Sequence, residues 1–327
     1  MKFLTLFLLA LPLSTFAHEG MDWNNDTMGF LSYSQATPVT TKSFQVRREF
    51  RARLDMDYFR AKLSVLTGLT PMRMNGAEVL IKERKSTQGL DATREFLKQE
   101  YEKLGFKVSF APFGSGSNFI AEKIGSTSPE KVLIVSSHID SVGNAGANDD
   151  GSGTIGLLTV AKVLSLNTYG KTIRVLGFDR EEVGLKGSDA YVATLPNKSD
   201  VIGDIHFEMM GYNGKKDGAF HVIDCNSGLF GGNKPIENSL FLSAEMKKSI
   251  SELGLPLTTT KACTDRSDHA SFWKNKIPAI VISENFFGGD GDPCYHAKCD
   301  VQDERLDYDY MANILEALLD TTEKIAK

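Results

Sequence analysis

The apolar, β-branched run Val132-Leu-Ile-Val135 ends in Ser136-Ser-His138-Ile-Asp140, and the chain then passes through Asn148-Asp149-Asp150-Gly-Ser-Gly153. Such a run places an imidazole at the carboxyl end of a strand, where α/β folds gather their sites. Ile139 points away, and the period of two returns Asp140 to the side of His138. From there the carboxylate can hold one ring nitrogen and leave the other free for a metal, an arrangement that points to hydrolytic chemistry.

The same alternation continues along the chain. Strands are predicted over 107–112, 118–123, 132–136, 172–178, 202–209, 220–224 and 279–283. Helices are predicted near 58–66, 91–104, 187–194, 239–253, 267–275 and 308–325. A further helix runs through Ile155 to Leu164, with Leu157, Val160, Ala161 and Leu164 nearer the core than Ile155, Leu158, Thr159 and Lys162. Strands alternating with helices imply an α/β fold, a mixed, mostly parallel central β-sheet with helices on both faces. Residues 55–327 contain no Pro/Gly-rich linker and no repeat, so one domain is expected there.

The chain begins with Lys2, an apolar stretch from Phe3 to Leu13, and Thr15-Phe16-Ala17. Residues 1–17 read as a cleavable signal peptide, and 18–54 as an N-terminal extension or propeptide-like arm. No later stretch reaches the roughly 18 apolar residues of a membrane helix. A secreted or periplasmic protein without membrane insertion is therefore expected. A net charge of −5, with no compensating cluster of Lys and Arg, argues against a nucleic-acid partner.

Cys225, Cys263, Cys294 and Cys299 form an even set, which in an exported chain favours disulfides. Of three pairings, Cys294 with Cys299 and Cys225 with Cys263 is preferred, since the first bond would clamp the loop Tyr295-His296-Ala297-Lys298. A thiolate zinc site using His296 lacks a CxxC pair or a second nearby histidine.

Further acidic signals follow. A second apolar strand ends in Phe178-Asp-Arg-Glu181-Glu182 before a glycine-containing turn. Adjacent residues leaving a strand point apart, so one carboxylate can bind metal while the other faces substrate as a base. In Ile205-His206-Phe207-Glu208, an acid late in an apolar strand is costly to bury unless paired or metal-bound, and either His206 or Glu208 could be the ligand. The loop from Gly288 to Asp300 presents Tyr295 and His296, and its Asp290 and Asp292 read as turn formers rather than calcium ligands.

Taken in order, His138-Ile-Asp140, Asn148-Asp149-Asp150-Gly-Ser-Gly153, Glu181-Glu182-Val-Gly-Leu185, Ser267-Asp268-His269 and Tyr295-His296 with Asp300 resemble peptidase family M28, in particular its secreted, bacterial-type two-zinc aminopeptidases. The resemblance runs from about residue 60 to the C-terminus and implies a zinc-exopeptidase-like fold over 55–327. It implies two Zn²⁺ bridged by Asp149, with His138 and Glu208 completing one site and Glu182 and His296 the other. Asp140 then orients His138, Glu181 is the general acid/base, and Arg266 and Tyr295 contact substrate or the developing oxyanion. Asp150 supports the loop, and His269 stands behind the ligands. The family most often carries Asp where this chain has Glu208, and the longer side chain shifts where that carboxylate reaches.

The implied chemistry is self-consistent. Two ions carry +4 and three carboxylates −3, a residual charge that would acidify a bridging water to a metal-bridged hydroxide and polarise a scissile carbonyl. The resemblance thus implies a zinc-dependent aminopeptidase acting on peptides with a free N-terminus. The alternatives are a glutaminyl-cyclase-like acyltransferase acting on N-terminal Gln, and a non-catalytic peptidase-like domain.

Overall fold

The computed structural model describes residues 54–227 and 233–327. The predicted leader 1–17, and the predicted arm except its last residue, lie outside the described residues. Strands β1 (Met72–Met74) and β2 (Ala77–Val79) pair as a hairpin of their own. The main sheet is built from β3 (Lys107–Phe113), β4 (Gly116–Lys123), β5 (Ser128–His138), β6 (Lys171–Phe178), β7 (Val201–Glu208) and β8 (Ala219–Ile223). β9 (Cys225–Asn226) and β10 (Lys234–Pro235) form a short ribbon, while β11 (Thr258–Thr260) and β12 (Ala279–Glu284) complete the sheet.

Its eight strands lie in the order β11-β8-β12-β7-β5-β6-β4-β3. β5 runs parallel to both β6 and β7, and β12 runs parallel to β7. These four strands therefore end at one edge, which is the edge that gathers chemistry in α/β sheets. The antiparallel pairs are β3 with β4, β4 with β6, and β8 with β12, which makes the sheet mixed.

The period of two sorts each central strand between two cores. In β5, Leu133 and Val135 join the larger core, and Val132 and Ile134 the smaller. The smaller core is closed by Tyr191 and Val192 of helix α4 (Lys186–Thr194) and Phe272 of α6 (His269–Lys274). The larger lies under α1 (Met56–Leu66), α2 (Thr87–Lys103), α3 (Gly151–Leu164), α5 (Leu240–Leu253) and α7 (Tyr308–Ala326). Helices thus cover both faces.

α3 departs from expectation in an informative way. Ile155, Leu158 and Thr159, read as the outer side, are as buried as Leu157 and Val160, and only Lys162 reaches solvent. The reason is that α1 and α7 pack against α3 as well as the sheet, and a helix enclosed on all sides must be apolar on all sides. Asp150 caps this helix by accepting the Gly153 N–H at 3.1 Å. β1, β2, β9, β10 and β11 escape prediction from the sequence pattern: each has two or three residues, too few to show a period.

Candidate metal centre

Register brings the site together. His138, last in β5, pairs with Phe178, last in β6, so Glu181 and Glu182 leave the sheet beside it. Ser136 pairs with His206 on the other side, which brings Glu208 to the same edge, and Glu208 pairs with Ser283 of β12. Three non-glycine residues here have left-handed backbone: Arg180 at φ 67°, Met209 at φ 48° and His296 at φ 56°. Such conformations cost energy and concentrate where a fold must aim side chains.

Asp149 stands at the centre. Its Oδ1 lies 3.1 Å from His138 Nε2, and its Oδ2 lies 3.2 Å from His296 Nε2. Glu208 Oε1 approaches His138 Nε2 at 3.6 Å, and Glu182 Oε2 approaches His296 Nε2 at 3.0 Å. Atoms of His138, Asp149 and Glu182 lie within 4.8 Å of one another. All five side chains implied as ligands are thus brought to one place.

On the far side of His138, Nδ1 lies 3.4 Å from Asp140 Oδ1. Asp140 also has a second role, because its two oxygens accept the backbone N–H groups of Glu181 (3.1 Å) and Glu182 (3.2 Å). One carboxylate therefore sets both the imidazole and the acidic pair. Asp150 also accepts the Met209 N–H at 3.1 Å, which ties the bridging loop to the end of β7. His269 donates from Nε2 to the Thr264 carbonyl at 3.0 Å and stacks on His206, so it faces the smaller core.

The electrostatics are those of crowded acids. Burial first, then Asp149, pushes the Glu182 carboxyl up to about 7. Burial, opposed by His138 and reinforced by Glu208 and Asp268, holds Glu181 well above the usual carboxylate range. Burial alone would raise Glu208 too, but the imidazoles of His138 and His206 hold it well below that range. Glu182 Oε1 is buried with no hydrogen-bond partner. Among the described residues, the only ion-pair partners of Asp149, Glu182 and Glu208 are histidines. Mixed imidazole and carboxylate donors, one unpartnered, suit Zn²⁺, so the residues present fit the implied metal.

Further buried polar residues hold the candidate ligands in place, and Arg84 among them carries no signal in the sequence. Arg84, fully buried, donates to the carbonyls of Ile139 (2.9 Å), Ala145, Gly146 (2.9 Å) and Asp149 (3.5 Å). In sequence it sits in Lys82-Glu-Arg-Lys85, indistinguishable from a solvated charged turn. Asp300 accepts the N–H groups of Asn148 (2.8 Å) and Asp149 (3.1 Å). The Asn148 amide reaches Glu284 Oε2 at 2.8 Å and Asp292 Oδ2 at 3.0 Å, joining the bridging loop to β12 and to the loop carrying His296. Asp292 takes the Cys294 N–H two residues on at 2.8 Å, the turn-forming role expected of it, and is held in addition by Arg305.

Replacing Arg84 with methionine is expected to destabilise the fold by about 3–5 kcal/mol, because several buried carbonyls and nearby acids lose a shared cation. Calorimetry checks this: a thermal midpoint within about a degree of wild type would show that the loop 139–149 does not depend on Arg84.

The carboxylates form the floor of an open cleft that encloses about 520 Å³ of space, part of it continuous with solvent, with walls from Met209, Ile223, Val281, Phe286 and Phe287. Arg266 and Tyr295 also line it, so all the residues expected to contact substrate face one space. Tyr295 stacks on the His296 ring at 3.8 Å. Burial, then Asp149 and Glu208, pushes the Tyr295 phenol up to about 12. The structure pairs Cys294 with Cys299 across this loop, and Cys225 with Cys263.

The family model for Peptidase family M28 matches residues 118–322. The chain belongs to peptidase family M28. Among curated relatives, leucine aminopeptidase 2 of Arthroderma otae is 32% identical over 212 residues, which is 57% of this chain and 40% of that protein. The chain spans half or less of the length of the curated relatives it first matches. Among solved structures, the LapA aminopeptidase of Legionella pneumophila shares the fold at TM-score 0.69 and 20% identity, over 92% of this chain and 79% of that one. BSAP, a zinc aminopeptidase of Bacillus subtilis, is similar at 25% identity and TM-score 0.55, over 65% of this chain and 50% of that one. Membership of M28 thus joins the mixed eight-stranded sheet to a cluster whose spacing a metal can use.

Proposed function

We propose that this M28 protein is a zinc-dependent aminopeptidase that hydrolyses the N-terminal residue from peptides. The observation that carries this reading is Asp149, whose two oxygens face His138 and His296 at 3.1 and 3.2 Å on the floor of an apolar-walled cavity. His138, Asp149 and Glu208 would hold one ion; Asp149, Glu182 and His296 would hold the other. When bound, the pair would polarise a scissile carbonyl and make water a nucleophile at neutral pH.

The remaining steps belong to side chains. Glu181 lies beside Glu182, and burial holds its carboxyl group well above the usual carboxylate range, toward the basicity that proton transfer needs. It takes the proton of the attacking water and returns it to the leaving amine. Tyr295 keeps its phenolic proton across the working range, so its O–H donates to the oxyanion, and Arg266 adds positive charge at the cavity wall. The apolar walls take the side chain of the N-terminal residue.

We read the protein as exported, secreted or periplasmic, on the leader-like residues 1–17 and two disulfides. No helix among the described residues is long and apolar enough to cross a membrane.

A panel of Leu, Phe, Ala, Lys and Gln p-nitroanilides and amides, assayed with zinc quantified in the same preparation, tests the reading. Release of the N-terminal residue, greatest for large apolar side chains and abolished by chelation, is expected. Pyroglutamate from an N-terminal Gln peptide with no release from Leu-amide would establish the cyclase-like alternative instead. No bound zinc and no activity after zinc addition would leave a non-catalytic domain.

A further inference from the structure

His221 on β8 is fully buried and takes no part in the proposed reaction. Its hydrogen bonds nevertheless run in one direction. Thr260 Oγ1 has a single proton, which it gives to the Phe220 carbonyl at 2.9 Å or to Asn285 Oδ1 at 3.1 Å. His221 Nδ1, 2.8 Å from that hydroxyl, must therefore carry the hydrogen and donate. The other nitrogen, Nε2, is left as an acceptor, and it takes the backbone N–H of Phe287 at 3.1 Å.

The group it holds belongs to the cavity wall. Phe286 and Phe287 open the short 3₁₀ turn 286–288, and both line the cavity. Phe287 is 46% exposed, so neighbours on its solvent side do little to fix it. The turn is kept tight by the Gly288 N–H to the Asn285 carbonyl at 3.1 Å and by Gly289 at φ 77°. A Cβ at Gly288 would overlap the Asn285 carboxamide that also meets Thr260. From His221 the rings then form a file: Phe287 at 5.7 Å, Phe286 a further 5.3 Å on, Tyr295 a further 5.1 Å, and His296 a further 3.8 Å. One buried imidazole thus stands at the end of an aromatic wall that leads to the candidate metal centre.

We propose that His221 is a specificity-determining positioning residue: by accepting the Phe287 N–H it fixes the Phe286–Phe287 wall at the distance from Tyr295 that decides which N-terminal side chains fit. The inference rests on the aminopeptidase reading, since it concerns the size of the side chain that the cavity accepts. Losing the acceptor leaves a backbone N–H to find water, and the wall shifts outward to let it. A shifted wall loses contact with a large apolar side chain and hardly changes its contact with a small one, and each methylene so discriminated is worth roughly 10- to 200-fold in kcat/KM.

The test compares wild type with His221→Leu and His221→Gln, each as the full zinc-loaded chain, on Leu and Ala p-nitroanilide. In His221→Leu the Leu-to-Ala ratio of kcat/KM is expected to fall by about tenfold or more, chiefly through KM for the leucine substrate, with zinc content unchanged. In His221→Gln the side-chain oxygen can stand where Nε2 stood, and the ratio should recover to within about threefold of wild type. An unchanged ratio in His221→Leu overturns the proposal. So does a glutamine variant as impaired as the leucine one, which would mean that His221 only fills space. If His221→Leu does not fold, Thr260→Val on the edge strand removes the partner of Nδ1 and should lower the ratio in the same direction; an unchanged ratio there counts against the proposal. A wild-type chain that releases neither residue sinks the aminopeptidase reading itself, which keeps the two failures apart.

Discussion

Glu181→Gln is expected to lower kcat by roughly 10²- to 10⁴-fold while leaving the thermal midpoint and the zinc content near wild type. The substitution keeps the size and shape of the side chain, and Glu181 makes no ion pair among the described residues. Its backbone N–H, which Asp140 holds at 3.1 Å, is untouched by the change. What disappears is the ability to take and return a proton. A glutamine can still orient water but cannot accept its proton, so kcat should fall far more than KM changes. Steady-state kinetics on the best substrate of the panel, with zinc measured by elemental analysis, is the check. Turnover within about threefold of wild type would remove Glu181 from proton transfer and move the search for a base to other acids of the floor.

The pairing of His138 with Asp140 could be read in advance because a strand has a fixed period: two residues apart is the same face, whatever the rest of the fold does. The strand ends that supply Glu181, Glu182 and Glu208 are legible for a related reason, since the β-branched and aromatic segments 172–178 and 202–209 end visibly. The order of strands in the sheet is a different kind of fact. It rests on registers such as His138 with Phe178 and Ser136 with His206, between segments tens of residues apart, and nothing local encodes them. Arg84 marks the limit most clearly. Four polar residues in a row look like surface, and only the folded loop 139–149 supplies the carbonyls that make burial of a guanidinium tolerable.

Glu208 shows how a residue that departs from the family pattern is accommodated. Its longer side chain reaches past the strand end, and Ser267 Oγ donates to Oε2 at 2.6 Å, while Oε1 is left toward His138. Ser267 also meets His206 Nε2 at 2.8 Å, and His206 Nδ1 meets Ser136 at 2.9 Å, itself bonded to the buried Asp204 at 2.8 Å. In sequence, His206 and Glu208 are rival ligands because they share a face. The structure separates them: His206 has both nitrogens occupied by serines, and Glu208 keeps one oxygen for the centre.

Asp149→Ala is expected to abolish activity and to empty both metal positions at once, because each of its oxygens serves a different imidazole. Losing a ligand from only one position would leave the other ion bound. His138 with Glu208, and Glu182 with His296, would each be reduced to two protein donors, below the three that catalytic zinc sites normally have. The fold itself should survive. The backbone N–H of residue 149 still meets Asp300 at 3.1 Å, its carbonyl still meets Arg84, and Asp150 still caps α3. Zinc addition should therefore raise the thermal midpoint of wild type, by the linkage that makes any ligand of the native state stabilising, and leave that of Asp149→Ala where it was. Elemental analysis of the purified variant completes the test. A single zinc retained per chain would mean that Asp149 serves one ion only, and two retained zincs would place the bridge on another residue.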